Sequence, residues 1–425
     1  MGMKEAAKTS IISKRWRYVS TKATHLDFNP SIIFPYFNLK HSDRCFSSRA
    51  IKKKYINWVN QVVNLHSSPC IDKFTACFGF ERRKMDARHI DKWVRFAISK
   101  QVKNIELSCV RLRNSFYTLR FDDIIDSSSS GIRFLQSLCL KSINVSGDIL
   151  EYVLEQCRFL ERLHIEVSPT LVKLKVVGLC LKLKHLTISD CFSLKQLEIE
   201  AVNLVYLQFD TFEKDHWSNV VFKNTPNLVD ASFAASRVSY FTPIFLQNSH
   251  LAQISRLSLR MQLDVLSAGS LPTFCNLKQL TIMVDYWFED ELIACINQFL
   301  KACPNLCQFK VEFIDLVEVS SFEEAYQLNK SDSFSDDDEE IGDYNMELDR
   351  KVHPNLREFQ VSGFCGRFID VELILFILRI SCNLETIICE CHHGHSVAEE
   401  VTQVIRSRAD KLVKLIPPKI SLVII

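Results

Sequence analysis

One short pattern of apolar and polar positions, apolar-x-x-apolar-x-apolar, returns from one end of the chain to the other. It appears as FLQSLCL with Leu135, Leu138 and Leu140, as FLERLHI with Leu160, Leu163 and Ile165, and as KLKHLTI with Leu183, Leu186 and Ile188. SLKQLEI and NLVYLQF follow, and the C-terminal half adds QISRLSL, NLKQLTI, NLCQFKV, NLREFQV and NLETIIC. Weaker versions stand earlier, in CIDKFTA and QVKNIEL. The last two apolar positions lie two residues apart, the period of a strand with alternate side chains on one face, so each copy predicts a short strand entered through a leucine. Asparagine directly precedes that leucine at Asn203, Asn227, Asn276, Asn305, Asn355 and Asn383, where it favours a tight turn.

This is the signature of leucine-rich repeats. Starts at Leu135, Leu160, Leu228, Ile254, Leu277 and Leu306 lie 23 to 29 residues apart where no extra copy intervenes, one solenoid coil each. Between Leu160 and Leu204 the steps shrink to 11, 12, 11 and 10. A coil needs about 20 residues or more, so these half-length units predict alternation, one strand on the concave sheet and the next on the convex side. The ladder position after the strand is kept convincingly only at Cys191. Helical connectors are expected where spacing is long. GDILEYVLEQC places Ile149, Leu150, Val153, Leu154 and Cys157 on one face. FEDELIACINQFLKAC does so with Leu292, Ile296, Phe299 and Leu300, and RHIDKWVRFAIS with Ile90, Trp93, Val94 and Ala97. The fold class is α/β, a solenoid with a curved parallel sheet, helices and irregular convex segments.

Composition agrees and narrows the function. The 425 residues are 47% hydrophobic and 24% charged, with core material and no polyanion-binding bias overall. Only 10 are glycine, which disfavours phosphate-cradling loops, and no Walker A, HExxH, GxSxG or EF-hand pattern is present. No secretory segment occupies the first thirty residues, so the 16 cysteines are expected as reduced thiols in the cytoplasm or nucleus. ELILFILRI is too short to span a membrane. Charge is uneven: residues 1–54 carry twelve Lys/Arg against Glu5, Asp27 and Asp43, a net of +9, whereas SDSFSDDDEEIGD from Ser331 to Asp343 holds no base. That acidic block predicts a disordered inserted loop, and Ser331, Ser333 and Ser335 stand in an acidophilic-kinase context.

Near the N-terminus, EAAKTSIISKRWRYV written as a helix sets Ile12, Trp16 and Val19 on one face with Lys14 and Arg15 largely outside it. KEAAKTSIISKRWRYVSTKATHLDF resembles the second half of a plant F-box, with Ser20 where that family usually has tryptophan. LHSSPCIDKFTACFGF with HIDKWVRFAISKQVKNIELS is similar to the first repeats of plant F-box/leucine-rich-repeat proteins, and HPNLREFQVSGFCGRFIDVELILFIL through SRADKLVKLIPPKISLVI resembles their closing FBD domain. The resemblance implies a partial F-box at 1–28, a basic linker at 29–54, repeats at 55–320, the acidic loop at 321–350 and an FBD-like end at 351–425. It further implies a non-catalytic substrate-recognition adaptor of a Skp–cullin–F-box ubiquitin ligase. Ile12, Lys14, Arg15, Trp16 and Val19 would dock a Skp-type subunit, and the repeats would hold an unknown protein substrate. The alternatives are a non-ligase interaction module that has lost Skp docking, or a gene model missing its first F-box exon.

Outward x positions of the strands supply substrate-surface candidates, Glu161, His164, Lys184, His185, Lys195 and Glu198. No cofactor is expected, and neither a membrane nor a nucleic acid is an expected partner. CECHHGH places Cys389, Cys391, His392 and His395 close together, but the spacing fits no standard zinc set, and the repeat frame makes Cys389 a core position.

Overall fold

The computed structural model describes residues 20–32, 48–80, 84–111, 116–120, 130–178, 181–210, 219–235, 245, 248–261, 271–285, 292–314, 353–364, 368–391 and 412–425. Ile12 to Val19, the serines of the acidic segment, His392 and His395 lie outside these residues. The chain divides into two compact units, Met1–Leu228 and Val229–Ile425.

In chain order the first unit holds β1 (His25–Phe28), α1 (Arg49–Leu65), β2 (Lys73–Phe80), α2 (Lys84–Ser99), β3 (Asn104–Arg111), β4 (Tyr117–Thr118), β5 (Ser137–Lys141) and β6 (Ile143–Asn144). α3 (Gly147–Gln156) follows, and then β7 (Arg162–Glu166), β8 (Lys173–Val177), β9 (His185–Ser189), β10 (Gln196–Glu200), β11 (Tyr206–Asp210) and β12 (Val220–Asn224). Its main sheet runs β1-β2-β3-β5-β7-β9-β11, every neighbour parallel. A second parallel sheet, β12-β10-β8, takes the strands between, so the half-length steps do alternate between two sheets. β12 is a further second-sheet strand, over whose sequence Trp217, Val220 and Phe222 repeat the same apolar spacing.

Register converts the repeat into a core. Phe74, Ile105, Leu138, Leu163, Leu186 and Leu207 are successive partners across the main sheet, as are Ala76, Leu107, Leu140, Ile165, Ile188 and Phe209. All twelve are buried, and so are Leu174, Val176, Leu197, Ile199, Val220 and Phe222 of the second sheet. Each of these side chains except Ala76 contributes about 1.5–3 kcal/mol of burial free energy before entropy is counted. The chain leaves three consecutive main-sheet strands through left-handed residues, Ser142, Val167 and Asp190, whose φ values are 55°, 56° and 52°. Their amides, where described, bond the next coil: Ser142 N–H to the Glu166 carbonyl at 2.7 Å and Val167 N–H to that of Ser189 at 3.0 Å. Three residues further into each coil, or one, the buried Val145, Ser168 and Cys191 face inward. The Ser168 hydroxyl accepts from Val145 N–H at 3.0 Å, so the ladder position read only at Cys191 is also served by a serine.

The expected helices form where periodicity placed them. Leu150, Val153 and Leu154 of α3 are buried, and Ile149 is half-buried. Gly147 opens α3 directly against β8, where a Cβ would stand 1.9 Å from the Lys173 carbonyl oxygen. In α2 Ile90, Trp93, Val94 and Ala97 are buried. HLDF, expected within the segment 1–28, is β1, paired with Lys73–Ala76 of β2, and the boundary expected at residue 54 falls inside α1, which begins at Arg49. α1 faces inward with Tyr55, Val59 and Val63, at i, i+4, i+8. The Tyr55 hydroxyl donates to the Phe28 carbonyl at 2.7 Å, and the Trp93 indole N–H donates to Asn60 at 2.8 Å, so strand and both helices share one aromatic core.

The second unit runs β13 (Asp230–Ala235), β14 (Arg256–Met261), β15 (Gln279–Asp285), α4 (Leu292–Ala302), β16 (Gln308–Ile314), β17 (Glu358–Phe364), α5 (Phe368–Ile380), β18 (Thr386–Cys391) and β19 (Ser421–Ile424). All pair in parallel in that order. Ala231, Leu257, Leu280, Phe309, Phe359 and Ile387 form one buried row, and Phe233, Leu259, Ile282, Val311, Val361 and Cys389 the next. Leu292, Ile296, Phe299 and Leu300 of α4 are buried as expected. Among the described residues no helix is long and apolar enough to cross a membrane.

Turn asparagines do more than bend the chain. The side-chain amide of Asn203 donates to the Leu181 carbonyl at 2.7 Å, and that of Asn227 to Val202 at 2.8 Å. In the second unit Asn305 reaches Cys275 at 2.9 Å, Asn355 reaches Pro304 at 3.1 Å and Asn383 reaches Pro354 at 2.8 Å. Each ties its turn to the turn one coil earlier, satisfying a carbonyl that the strand ladder does not use.

Candidate interaction face

Alternation in the main-sheet strands of the first unit leaves every second side chain on the side away from the core. Parallel register aligns these into rows. Lys73, Asn104, Ser137, Arg162, His185 and Tyr206 make the first; Thr75, Glu106, Cys139, His164, Thr187 and Gln208 the second; Cys77, Ser108, Lys141, Glu166 and Ser189 the third. The positions just before the strands add Asp72, Lys103, Glu161 and Lys184.

Opposite charges meet across neighbouring strands: Lys73 with Glu106 at 3.1 Å, Lys103 with Asp72 at 2.7 Å and Lys184 with Glu161 at 3.1 Å. These exposed pairs contribute about 0–1 kcal/mol each, so they set the pattern of charge more than the stability. Glu166 is bound more closely, with His164 and Lys141 both 3.2 Å from Oε2. The hydrogen bond from His164, followed by the Lys141 charge, overcomes partial burial and pulls its carboxyl down to about 2. Cys139 lies among these charges, and burial followed by the Glu106 charge pushes its thiol up to about 11, which keeps it protonated at neutral pH. The His185 and Tyr206 rings lie 6.1 Å apart.

The structure brings four of the six surface candidates together: Glu161, His164, Lys184 and His185 all belong to this face. Lys195 and Glu198 do not join them. Both lie at β10 on the second sheet, where Glu198 pairs with Lys223 at 2.5 Å. Outwardness was correctly read, but the sheet to which the strand belongs decides its neighbours. Thr187, also an x position, is 8% exposed, flanked in its row by the longer His164 and Gln208. Sequence reasoning did not single out Lys141, Glu166, Tyr206 or Gln208; the x-position rule reaches Tyr206 and Gln208, whereas Lys141 and Glu166 stand one residue past the last apolar position of the pattern.

The second unit carries a corresponding polar face. Arg256 pairs with Asp230 at 2.9 Å, Gln308 donates to Glu358 at 3.2 Å, and Glu390 accepts from Ser362 at 2.6 Å and from Gln360 at 3.3 Å. Cys389 is fully buried in β18, so its sulfur belongs to the core, and Cys391 ends that strand opposite Phe364.

A stack of short parallel strands, buried leucines in register and a polar outer face define a leucine-rich-repeat protein. The chain matches the family described as "At1g61320/AtMIF1, LRR domain" over residues 62–414 and belongs to that family. It is 24% identical to the Arabidopsis thaliana F-box/FBD/LRR-repeat protein At1g13570 over 417 residues, covering 91% of this chain and 86% of that protein. Identity of 24% also extends to the F-box/LRR-repeat protein At3g58900 of the same plant, over 63% of this chain and 78% of the relative. The putative F-box protein At3g58860 matches at 24% over 71% and 68%.

Proposed function

We propose that this protein is the substrate-recognition adaptor of a Skp–cullin–F-box ubiquitin ligase, working in the cytoplasm or nucleus. The observation that carries the reading is similarity running nearly end to end with a protein named for F-box, FBD and leucine-rich repeats together. In this role the chain performs no bond chemistry. It holds a substrate lysine beside a conjugating enzyme, and the rate gain comes from proximity. The N-terminal segment with Ile12, Lys14, Arg15, Trp16 and Val19 docks the Skp-type subunit, and the polar main-sheet face of the first unit meets the substrate.

Co-expression of the full chain with a Skp-type subunit tests this. Stoichiometric co-purification, abolished by Ile12→Asp together with Trp16→Ala, is the expected result. A chain that purifies folded without the subunit would overturn the ligase reading and leave a free-standing interaction module.

A further inference from the structure

The sequence RFL occurs twice, as Arg133-Phe134-Leu135 and Arg158-Phe159-Leu160, 25 residues apart. The leucines are core, and both are buried. The residues before them are not explained by the core. Phe134 is 43% exposed and Phe159 49%, and both arginines are exposed. Each turn closes in the same way, Leu135 N–H to the Ile132 carbonyl and Leu160 N–H to that of Cys157, both at 3.0 Å. Because Ser137 pairs with Arg162 and Arg162 with His185, the residues three before them, Phe134, Phe159 and Lys182, are coil-to-coil equivalents. They stand about 5 Å apart from coil to coil, the spacing of parallel strands. The Lys182 ammonium sits 4.9 Å from the centre of the Phe159 ring, which confirms the alignment.

Two large apolar side chains exposed at equivalent positions of consecutive coils differ from the scattered exposed hydrophobics of any surface. Around them the charge is one-sided. Arg133, Arg158 and Lys182 make no ion pair with the described residues, whereas Glu161, the acid beside them at the strand entry, is already neutralised by Lys184 at 3.1 Å. Among the described residues, Glu155 of α3 is a further exposed acid close in sequence.

We infer that the edge formed by Arg133, Phe134, Arg158, Phe159 and Lys182 is a docking strip for a protein segment in which acidic side chains are interleaved with large apolar ones. Such a segment gives each of these cations a carboxylate and each phenyl ring an apolar neighbour, and cation and ring together recognise what neither would alone. A nucleic acid fits less well. Its bases would stack on the two rings, but a strip of three cations flanked by Glu155 and Glu161 supplies few of the many phosphate contacts that such binding rests on. The inference rests on the reading of the chain as a protein-recognition subunit. Its test needs neither a Skp-type subunit nor ubiquitin, so the two fail separately.

The full chain is presented to a random-peptide display library, and an enriched peptide is then labelled for fluorescence polarisation. The expected enrichment is for Asp or Glu within a few positions of Phe, Leu or Trp. R133E/R158E and F134S/F159S should each weaken the labelled peptide about tenfold or more, with unchanged circular dichroism because all four positions are exposed. Binding should also weaken as salt rises. No enrichment, enrichment of basic or wholly polar peptides, full affinity in both double variants, or displacement of the peptide by a single-stranded uracil oligonucleotide would each overturn the inference.

Discussion

Phe28 offers the sharpest test of how the fold begins. It is completely buried in β1, with its ring centre 5.3 Å from that of Trp58 and 5.4 Å from that of Phe74. Phe28→Ala removes a ring that α1 and β2 close around, and a core Phe→Ala typically costs about 3–5 kcal/mol. Two aromatic neighbours at edge or tilted geometry keep it off the lower bound, at about 4 kcal/mol. The Tyr55 hydroxyl still reaches the residue-28 carbonyl, so the loss is one of packing. In a stacked-repeat array each coil is stabilised mainly by its neighbours, and a defect at one end stays local. Hydrogen exchange read by mass spectrometry is therefore the assay. Peptides covering β1, α1 and β2 should exchange about three orders of magnitude faster, since each 1.4 kcal/mol is a factor of ten, while those covering β9 and β11 stay protected. A change below fivefold in β1, or equal acceleration throughout the unit, would refute the assignment of HLDF to the first coil's core.

Asn203→Ala should lower stability by about 0.5–1.5 kcal/mol through loss of one coil-to-coil hydrogen bond, seen as a fall in urea midpoint, whereas Asn203→Gln should not restore it. Gly147→Ala should cost about 1–3 kcal/mol, because the new methyl meets the Lys173 carbonyl and α3 must move away from β8; thermal unfolding of the variant checks this. Burial lowers the pKa of His66 and of His353 from the ordinary 6.5, so the folded chain takes up these protons later than the unfolded one. Their stabilising contribution is complete above pH 6.5 and is lost as pH falls through the folded values, so the urea midpoint should decline on acidification and decline less in His353→Gln. Among the described cysteines, Cys70, Cys275 and Cys382 are exposed and should be alkylated first in the native protein. Cys157 and Cys303, whose thiols burial pushes up to about 12, should react only on unfolding, as peptide mapping would show.

Much of the scaffold was readable because a solenoid writes its core into a short period. The half-length steps between Leu160 and Leu204 sufficed to separate β7, β9 and β11 from β8 and β10, since no coil closes in eleven residues. β1 escaped because a four-residue strand carries only two inward side chains, Leu26 and Phe28, too few for a periodic signal. The turn asparagines were read as bend formers. Their bonds to the preceding turn span 22 to 51 residues, a separation no local pattern records.

The interaction face was legible by position and illegible by partnership, and the difference has one cause. Strand period fixes which side chains leave the core, so Glu161, His164, Lys184 and His185 were found on the correct side. What each one touches depends on register, because a neighbour lies one coil away, 23 residues on for Glu161 with Lys184 and 25 for Lys141 with Glu166. Lys195 and Glu198 show the same limit: the pattern that turned them outward did not say onto which sheet. Where charges pair across register, as along most of this face, the carboxylates are already engaged and selectivity falls to groups left unpaired. Arg133, Arg158 and Lys182 make no ion pair with the described residues, and they stand beside two exposed rings that the core does not need. In a scaffold whose repeats are otherwise self-satisfied, that combination is where a partner gains most by binding.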